Sequence, residues 1–178
     1  MTGVQTCALP ISEAAFRAVI AADPQCAIAH YNLGVLLKQC GDKAGAETAY
    51  HAAIAADPQY AEAHYNLGHL LGNRGDKAGA GAAYRAAITA DPQHAGARIA
   101  LGIILLERGD KAGAEAAFRT AIAADPQNLI AHTNLGALQG KNGDISGAVR
   151  SFAAALKIDP SYAQAKANLQ KVLGSINF

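Results

Sequence analysis

The chain has 178 residues, of which 51% are hydrophobic and 16% are charged, and its formal net charge is +1. This charge gives no broad attraction to nucleic acid or to an anionic membrane, and the longest apolar runs fall far short of the roughly 20 residues that span a bilayer. We therefore expect a soluble, cytoplasmic protein with no nucleic-acid partner and no membrane partner.

The first twelve residues differ from the rest of the chain. From Glu13 the sequence matches a later part of itself, because Glu-Ala-Ala-Phe-Arg at 13–17 recurs at 115–119. Residues 2–11 resemble a translated sequencing-adapter read-through. The alternative, a short targeting segment, would need a basic start and a longer apolar stretch. We expect residues 1–12 to be artefactual or disordered, and the natural chain to continue upstream.

A unit of thirty-four residues recurs along the remainder of the chain and is clearest in residues 61–94. One of its signatures is an Asp-Pro pair at a constant interval. The pairs are Asp23-Pro24, Asp57-Pro58, Asp91-Pro92, Asp125-Pro126 and Asp159-Pro160. Self-similarity at this period is typical of stacked-repeat proteins.

Each unit predicts a hairpin of two helices. In residues 61–94 the apolar and small residues follow helical spacing in two blocks. They are Leu67, Leu70 and Leu71, then Ala80, Tyr84, Ala87 and Ile88. Between the blocks, Gly75 can adopt the left-handed conformation that ends a helix, and Asp76 can cap the next one. Asp91 precedes a proline, which ends the second helix. The apolar stripe of one hairpin cannot be buried alone, so neighbouring hairpins must stack.

A small residue recurs at one place in each first helix, which predicts close packing within the hairpin. The glycines are Gly34, Gly68, Gly102 and Gly136, and we expect them to face Ala46, Ala80, Ala114 and Ala148. At the next step the glycine is replaced by Gln170, in a final helix that has no following helix to pack against.

The pattern resembles the tetratricopeptide repeat at its usual length. The positions that carry the resemblance are Leu67-Gly68, Leu71, Gly75, Ala80, Tyr84, Ala87 and Pro92. The resemblance implies an all-α fold, a right-handed α-solenoid of stacked antiparallel helical hairpins. We expect a half repeat at 13–26, full repeats at 27–60, 61–94, 95–128 and 129–162, and a capping helix at 163–174. Histidine or arginine stands where the family often has tryptophan, at His30, His64, Arg98 and His132.

The resemblance also implies that the first helices line a concave groove. The candidate peptide-binding residues of that groove are Tyr31, Asn32, Tyr65, Asn66, His69, Ile99, Ile103, Leu106, Asn134 and Asn168. The asparagines form a ladder broken only at Ala100, and an amide can both donate to and accept from a peptide bond. The ladder resembles the one that lines the repeats of O-GlcNAc transferases. Alternatively, the amides are hydrogen-bonded within the solenoid.

The third hairpin has an apolar inner face, formed by Ile99, Ala100, Ile103 and Leu106, which we expect beside Tyr65, Asn66 and His69 of the second hairpin. A partner side chain could be buried there, because a few apolar anchors usually dominate such binding. The alternative is a locally filled core.

Other sites have little support. Tyr31, Tyr65, Ile99 and Val35 stand where relatives that clamp a terminal carboxylate have lysine or arginine. The repeat-equivalent histidines lie too far apart to share a metal ion. The three cysteines are too few and too irregular for a disulfide framework or a zinc site, and we expect free thiols because Cys26 and Cys40 lie near opposite ends of one helix. We expect no cofactor and, since no nucleophile–base set is present, no enzymatic activity.

The sequence thus predicts a non-catalytic scaffold that binds an extended peptide or a partner helix in the concave groove. The alternative is a truncated, substrate-presenting segment of a larger enzyme, such as an O-GlcNAc transferase-like glycosyltransferase. Self-association through the exposed N-terminal helix is a third possibility, since truncation would leave its packing face uncovered.

Overall fold

The structure, a computed structural model, describes residues 10–174 of the backbone and residues 13–174 of the side chains. Within these limits the regular structure is entirely helical. The helices are α1 (Pro10–Ala22), α2 (Ala27–Gln39), α3 (Lys43–Ala56), α4 (Ala61–Asn73), α5 (Lys77–Ala90), α6 (Ala95–Glu107), α7 (Lys111–Ala124), α8 (Leu129–Lys141), α9 (Ile145–Ile158) and α10 (Ala163–Gly174). The interpretation of residues 1–9 as artefactual lies outside the described residues.

The helix α1 begins at Pro10, three residues before the match to the repeat at Glu13. Proline is compatible with the first turn of a helix, where its missing N–H would have no intrahelical partner. The division at residue 12 and the repeat boundaries stay predictions.

The turn within each hairpin is made as predicted. Gly41, Gly75, Gly109 and Gly143 have φ between 83° and 90°, the left-handed region that glycine tolerates best. The next residue is an aspartate that caps the second helix: Oδ1 of Asp76, for example, accepts a hydrogen bond from the backbone N–H of Gly79 at 2.8 Å. The same bond recurs at Asp42, Asp110 and Asp144.

The Asp-Pro pairs end the second helices as predicted. Asp57 closes α3 in an extended conformation, with φ −138° and ψ 98°, as expected for a residue before proline. Its Oδ1 accepts a hydrogen bond from the N–H of Gln59 at 2.9 Å, which fixes the turn that leads into α4.

The chain divides into two compact units, and the single solenoid expected over residues 13–178 stays a prediction. Among the described residues, unit 1 ends at Asp91 and unit 2 begins at Pro92. In unit 1 the hairpins α2–α3 and α4–α5 enclose a core built around Tyr50, Leu33 and Leu67. In unit 2 the hairpins α6–α7 and α8–α9 bury Phe118 and Phe152, and α10 packs against α9.

The close approach within each hairpin is confirmed, and the nearest neighbour of each glycine is an aromatic ring rather than the expected alanine. A Cβ at Gly34 would lie 2.6 Å from Cε1 of Tyr50, and one at Gly136 would lie 2.9 Å from Cε1 of Phe152. The glycine therefore makes room for an aromatic ring, one helical turn after the alanine. Ala46 is itself fully buried, so both small positions are needed for the two helices to pack.

The residues that replace the family's tryptophan have a structural role. Nε2 of His30, His64 and His132 lies 3.0 to 3.1 Å from the carbonyl oxygen of the proline six residues earlier. Arg98 makes the corresponding bond, donating from Nη2 to the carbonyl oxygen of Pro92. These side chains tie the start of each first helix to the preceding turn.

The expectation of free thiols is correct for Cys26 and wrong for Cys40, which is disulfide-bonded. The argument from helix length excludes only a pair between those two residues. Among the described residues, no helix is both long enough and apolar enough to cross a membrane.

Candidate functional site

The structure divides the predicted groove residues equally between the two units. Tyr31 and Asn32 on α2, and Tyr65, Asn66 and His69 on α4, lie in unit 1. The remaining five lie in unit 2: Ile99, Ile103, Leu106, Asn134 and Asn168. The juxtaposition of the third hairpin with Tyr65, Asn66 and His69 stays a prediction.

In unit 1 a hydrogen-bond network joins α2 to α4. Nδ2 of Asn66 donates to the hydroxyl oxygen of Tyr31 at 3.1 Å and to the carbonyl oxygen of Glu62 at 3.1 Å. Nζ of Lys38 donates to Oδ1 of Asn66 at 3.4 Å. Both sides of this amide are therefore occupied by the chain itself, as the alternative interpretation of the ladder proposed.

Aromatic rings extend this surface on both sides of Asn66. Tyr31 packs edge-on against Tyr60, with ring centroids 5.0 Å apart. His69 packs edge-on against Tyr65 at 4.5 Å and against Tyr84 at 5.6 Å. Edge-to-face pairs at these distances stabilise the packing beyond simple area burial. We call Tyr31, Tyr60, Tyr65, Asn66 and His69 the aromatic face of unit 1.

Burial favours the uncharged forms of the tyrosine and histidine side chains in this region. Burial raises the pKa of Tyr50 and of Tyr84 to about 12, and the neighbouring Tyr31 and Tyr65, respectively, contribute to the rise. Burial also lowers the pKa of His69, and the positive charge of Lys38 lowers it further. The side chains of the aromatic face are therefore uncharged near neutral pH, and charged groups beside them include Lys38 and Glu62.

The other asparagines of the ladder differ from Asn66. Among the described residues, the side chains of Asn32, Asn134 and Asn168 make no hydrogen bond, although each is only partly exposed. Their donors and acceptors are thus available at corresponding places on α2, α8 and α10. The ladder consists of three open amides and one satisfied amide.

In unit 2 the predicted apolar residues have different environments. Ile99 is only 6% exposed and packs with Phe118 and Leu135, so little of it is accessible to a ligand. Ile103 is 40% exposed on the same helix, and Leu106 lies partly buried against the core. Ile103 is therefore the apolar anchor that remains from the predicted set.

A cavity of about 270 Å³ in unit 2 was not predicted from the sequence. It lies among α8, α9 and α10 and is lined by Ala137, Gly140, Lys141, Ile145, Phe152, Asn168, Lys171 and Val172. Tyr60, at the N-terminus of α4, was also missed, as were the exposed apolar residues Ile28 and Ile130. An alignment of the repeats with one another would have found Ile28 and Ile130, because they occupy the same place.

Within the described residues no group of three or more histidine, cysteine, aspartate or glutamate side chains is placed to hold a metal ion. The repeat-equivalent histidines contact the proline carbonyl oxygens instead, as described above.

Family models for the tetratricopeptide repeat match residues 9–61, 36–95, 65–129 and 130–162. The chain belongs to the tetratricopeptide repeat family. Its predicted fold class, an all-α tetratricopeptide solenoid, is thereby confirmed. Repeats of this family generally act as non-catalytic scaffolds in protein interactions.

The fold is similar to that of several solved tetratricopeptide proteins. A crystal structure of MamA matches at 26% identity with a TM-score of 0.74, over 85% of this chain and 89% of that one. YrrB, described as a TPR protein with an unusual peptide-binding site, matches at 22% identity with a TM-score of 0.76, over 91% of this chain and 84% of that one. PilF of Pseudomonas aeruginosa matches at 19% identity with a TM-score of 0.82, over 93% of this chain and 77% of that one. No curated protein matches the chain.

Proposed function

We propose that this chain is a scaffold that binds an extended peptide segment of a partner protein along the first helices of its hairpins. The observation that supports this most directly is the set of open amides at Asn32, Asn134 and Asn168. An amide with both donor and acceptor available can hold a peptide bond without selecting a side chain. The binding of a peptide by YrrB, which shares the fold, is consistent with this proposal.

The aromatic face of unit 1 and Ile103 of unit 2 supply the apolar contacts of the proposal. Tyrosine contributes large contact area at a low cost in side-chain entropy, since it has only two rotatable side-chain bonds. Ile103 is exposed enough to contact a ligand and lies on a helix whose other face is core. Affinity would come from these anchors, and backbone register from the amides.

The test is a selection of random peptides on the whole chain, followed by affinity measurements with single variants. Asn32→Ala, Asn134→Ala and Asn168→Ala should each weaken a selected peptide about fivefold, the loss of roughly one hydrogen bond. Ile103→Asp should abolish binding and leave helicity intact. Asn73→Ala is the matched control, because Asn73 is an exposed asparagine at the end of α4, outside the predicted groove residues, and its loss should leave the affinity unchanged.

Two results would contradict the proposal. One is a selection that enriches no peptide although the chain is folded. The other is a set of selected peptides whose affinities none of the four binding variants changes.

The alternative of a substrate-presenting segment rests on the same open amides. It gains support only if the parent reading frame continues into a glycosyltransferase domain. Self-association through α1 rests on Val19, which is 46% exposed, and it predicts concentration-dependent sedimentation that the substitution Val19→Glu removes.

A further inference from the structure

The cavity among α8, α9 and α10 is lined by apolar and small side chains on its inside and by polar ones at its rim. Phe152, fully buried, and Ile145 supply the apolar surface from α9. Its volume of about 270 Å³ is below that of a typical small-molecule site, and suits a single side chain better than a whole ligand.

The cavity exists because the fourth hairpin has small residues where earlier hairpins have larger ones. Ala137 occupies the place of Val35, His69 and Ile103 in the preceding repeats. Gly140 occupies the place of Lys38 and Leu106. Only in the fourth hairpin are both places small, which leaves room for the cavity.

A second change makes this space apolar. Ile145 stands at the start of α9, where the three earlier second helices begin with Lys43, Lys77 and Lys111. The fourth hairpin has therefore exchanged a cation for an apolar side chain at the cavity, in addition to losing bulk. Two separate departures from the repeat pattern therefore occur at residues that line the same cavity.

The rim of the cavity is basic. Lys141, the last residue of α8, and Lys171, in the last turn of α10, both line it, and no carboxylate is among its described lining residues. Neither lysine forms an ion pair within the described part of the chain. Asn168, one of the open amides, lies one turn before Lys171 on the same rim.

We propose that this cavity receives a large apolar side chain of a bound peptide whose flanking residues are acidic. The apolar side chain would be buried against Phe152 and Ile145. Lys141 and Lys171 would pair with the flanking carboxylates, and the amide of Asn168 would hold the peptide bond between them. The proposal rests on the peptide-binding function proposed above and gives unit 2 a preferred ligand sequence.

The experiment measures fluorescence anisotropy of three labelled peptides on the whole chain. Their centres are Glu-Leu-Glu, Lys-Leu-Lys and Glu-Ser-Glu, each flanked by Gly-Ser spacers. Glu-Leu-Glu should bind about tenfold more tightly than Glu-Ser-Glu, since burial of a leucine side chain is worth at least that factor. It should also bind more tightly than Lys-Leu-Lys, by a margin that falls as salt is added.

Two variants test the site itself. Ala137→Ile copies the residue of the third hairpin, fills the cavity and should weaken Glu-Leu-Glu about tenfold. We choose position 137 because a Cβ at Gly140 would already lie 3.2 Å from Cγ2 of Val172. The double variant K141E/K171E should reverse the preference toward Lys-Leu-Lys. Lys157→Glu, a charge reversal on α9 outside the cavity lining, is the matched control and should change neither preference.

Thermal unfolding of each variant shows whether the fold is retained. If folded Ala137→Ile binds Glu-Leu-Glu as the unmodified chain does, or if the unmodified chain prefers neither acidic nor apolar centres, the cavity proposal is overturned. Peptide binding through the open amides would then still be tested separately, by the selection of random peptides described above. If that selection also yields no binder, the proposed function fails together with this inference.

Discussion

In unit 1 the ring that fills each full hairpin belongs to a tyrosine, Tyr50 or Tyr84, whereas in unit 2 it belongs to Phe118 or Phe152 at the same place in the repeat. The two units solve one packing problem, a ring against a glycine, with and without a hydroxyl group. In unit 1 the hydroxyl of Tyr50 is buried and has no hydrogen-bond partner among the described residues. The phenylalanines of unit 2 thus show the same packing without the buried hydroxyl group, so the two units can be compared for its effect.

The first helices differ in the same direction. Unit 1 has the aromatic face with its satisfied amide Asn66 beside the open amide of Asn32, and unit 2 has the exposed Ile103, two open amides and a basic-rimmed cavity. A repeat scaffold tolerates such divergence because each hairpin contacts mainly its neighbours. The fold is therefore constrained at the turn and ring positions, and ligand preference can vary between units.

The largest expected difference between the units appears at alkaline pH. Burial raises the pKa of Tyr50 and Tyr84 to about 12 from the ordinary 10.0, so between these values the unfolded chain loses the protons that the folded chain keeps. The contribution of these two tyrosines to the stability of unit 1 is therefore complete below pH 10 and is lost as the pH rises toward about 12. Urea unfolding followed by circular dichroism across this range measures the loss.

The double variant Y50F/Y84F is the control for this effect. It removes the two most strongly shifted hydroxyls and should reduce the dependence of stability on pH above 10, while Tyr31, Tyr60 and Tyr65, whose pKa is also raised, keep their share. An equal loss of stability in the chain and in the double variant would assign the effect to groups other than these two tyrosines.

The reciprocal exchange of rings should have a smaller effect. Phe118→Tyr places a hydroxyl in a fully buried position and should reduce the free energy of unfolding by about 1–3 kcal/mol, the cost of an unsatisfied buried donor. Tyr50→Phe removes such a group and should be neutral, or stabilising by up to about 1 kcal/mol. Chemical denaturation measures both changes.

A third ring substitution, Phe152→Tyr in unit 2, extends the comparison of Phe118→Tyr with Tyr50→Phe. Phe152 lines the cavity, so a hydroxyl in Phe152→Tyr has space, and its cost should be smaller than that of Phe118→Tyr. If the Phe118→Tyr chain is as stable as the unmodified one, the hydroxyl must find a partner there, and the comparison between units loses its basis.

The fold was predictable because its determinants are local and repeated. A glycine with positive φ, a capping aspartate and a residue before proline each act within four residues, so their spacing alone predicts the hairpin. The partner of each close-packed glycine was not predictable in the same way. Alanine and the aromatic ring lie one turn apart on the same face, and only the structure shows that the ring is the nearer of the two.

The candidate site was less predictable than the fold. Side-chain spacing placed Asn66 with the other asparagines, but its partners Tyr31 and Lys38 lie on another helix, and hydrogen bonds between helices leave no periodic signal. The cavity depends on what Ala137 and Gly140 lack. An absence of bulk becomes visible only when the repeats are compared position by position and the space is measured.

The smallest expected effect concerns His69, which has no titratable counterpart in unit 2 where Ile103 and Ala137 take its place. Burial and the charge of Lys38 lower its pKa below the ordinary 6.5, so the unfolded chain binds the proton more readily than the folded chain. The contribution of His69 to the stability of unit 1 should therefore be fully present above pH 6.5 and be lost as the pH falls through and below that value. His69→Val, which copies the residue of the first hairpin, should remove this part of the acid dependence. Because protonation would place a charge between Tyr65 and Tyr84 beside Lys38, an upward shift of the His69 pKa in an NMR titration would contradict the packing described for the aromatic face.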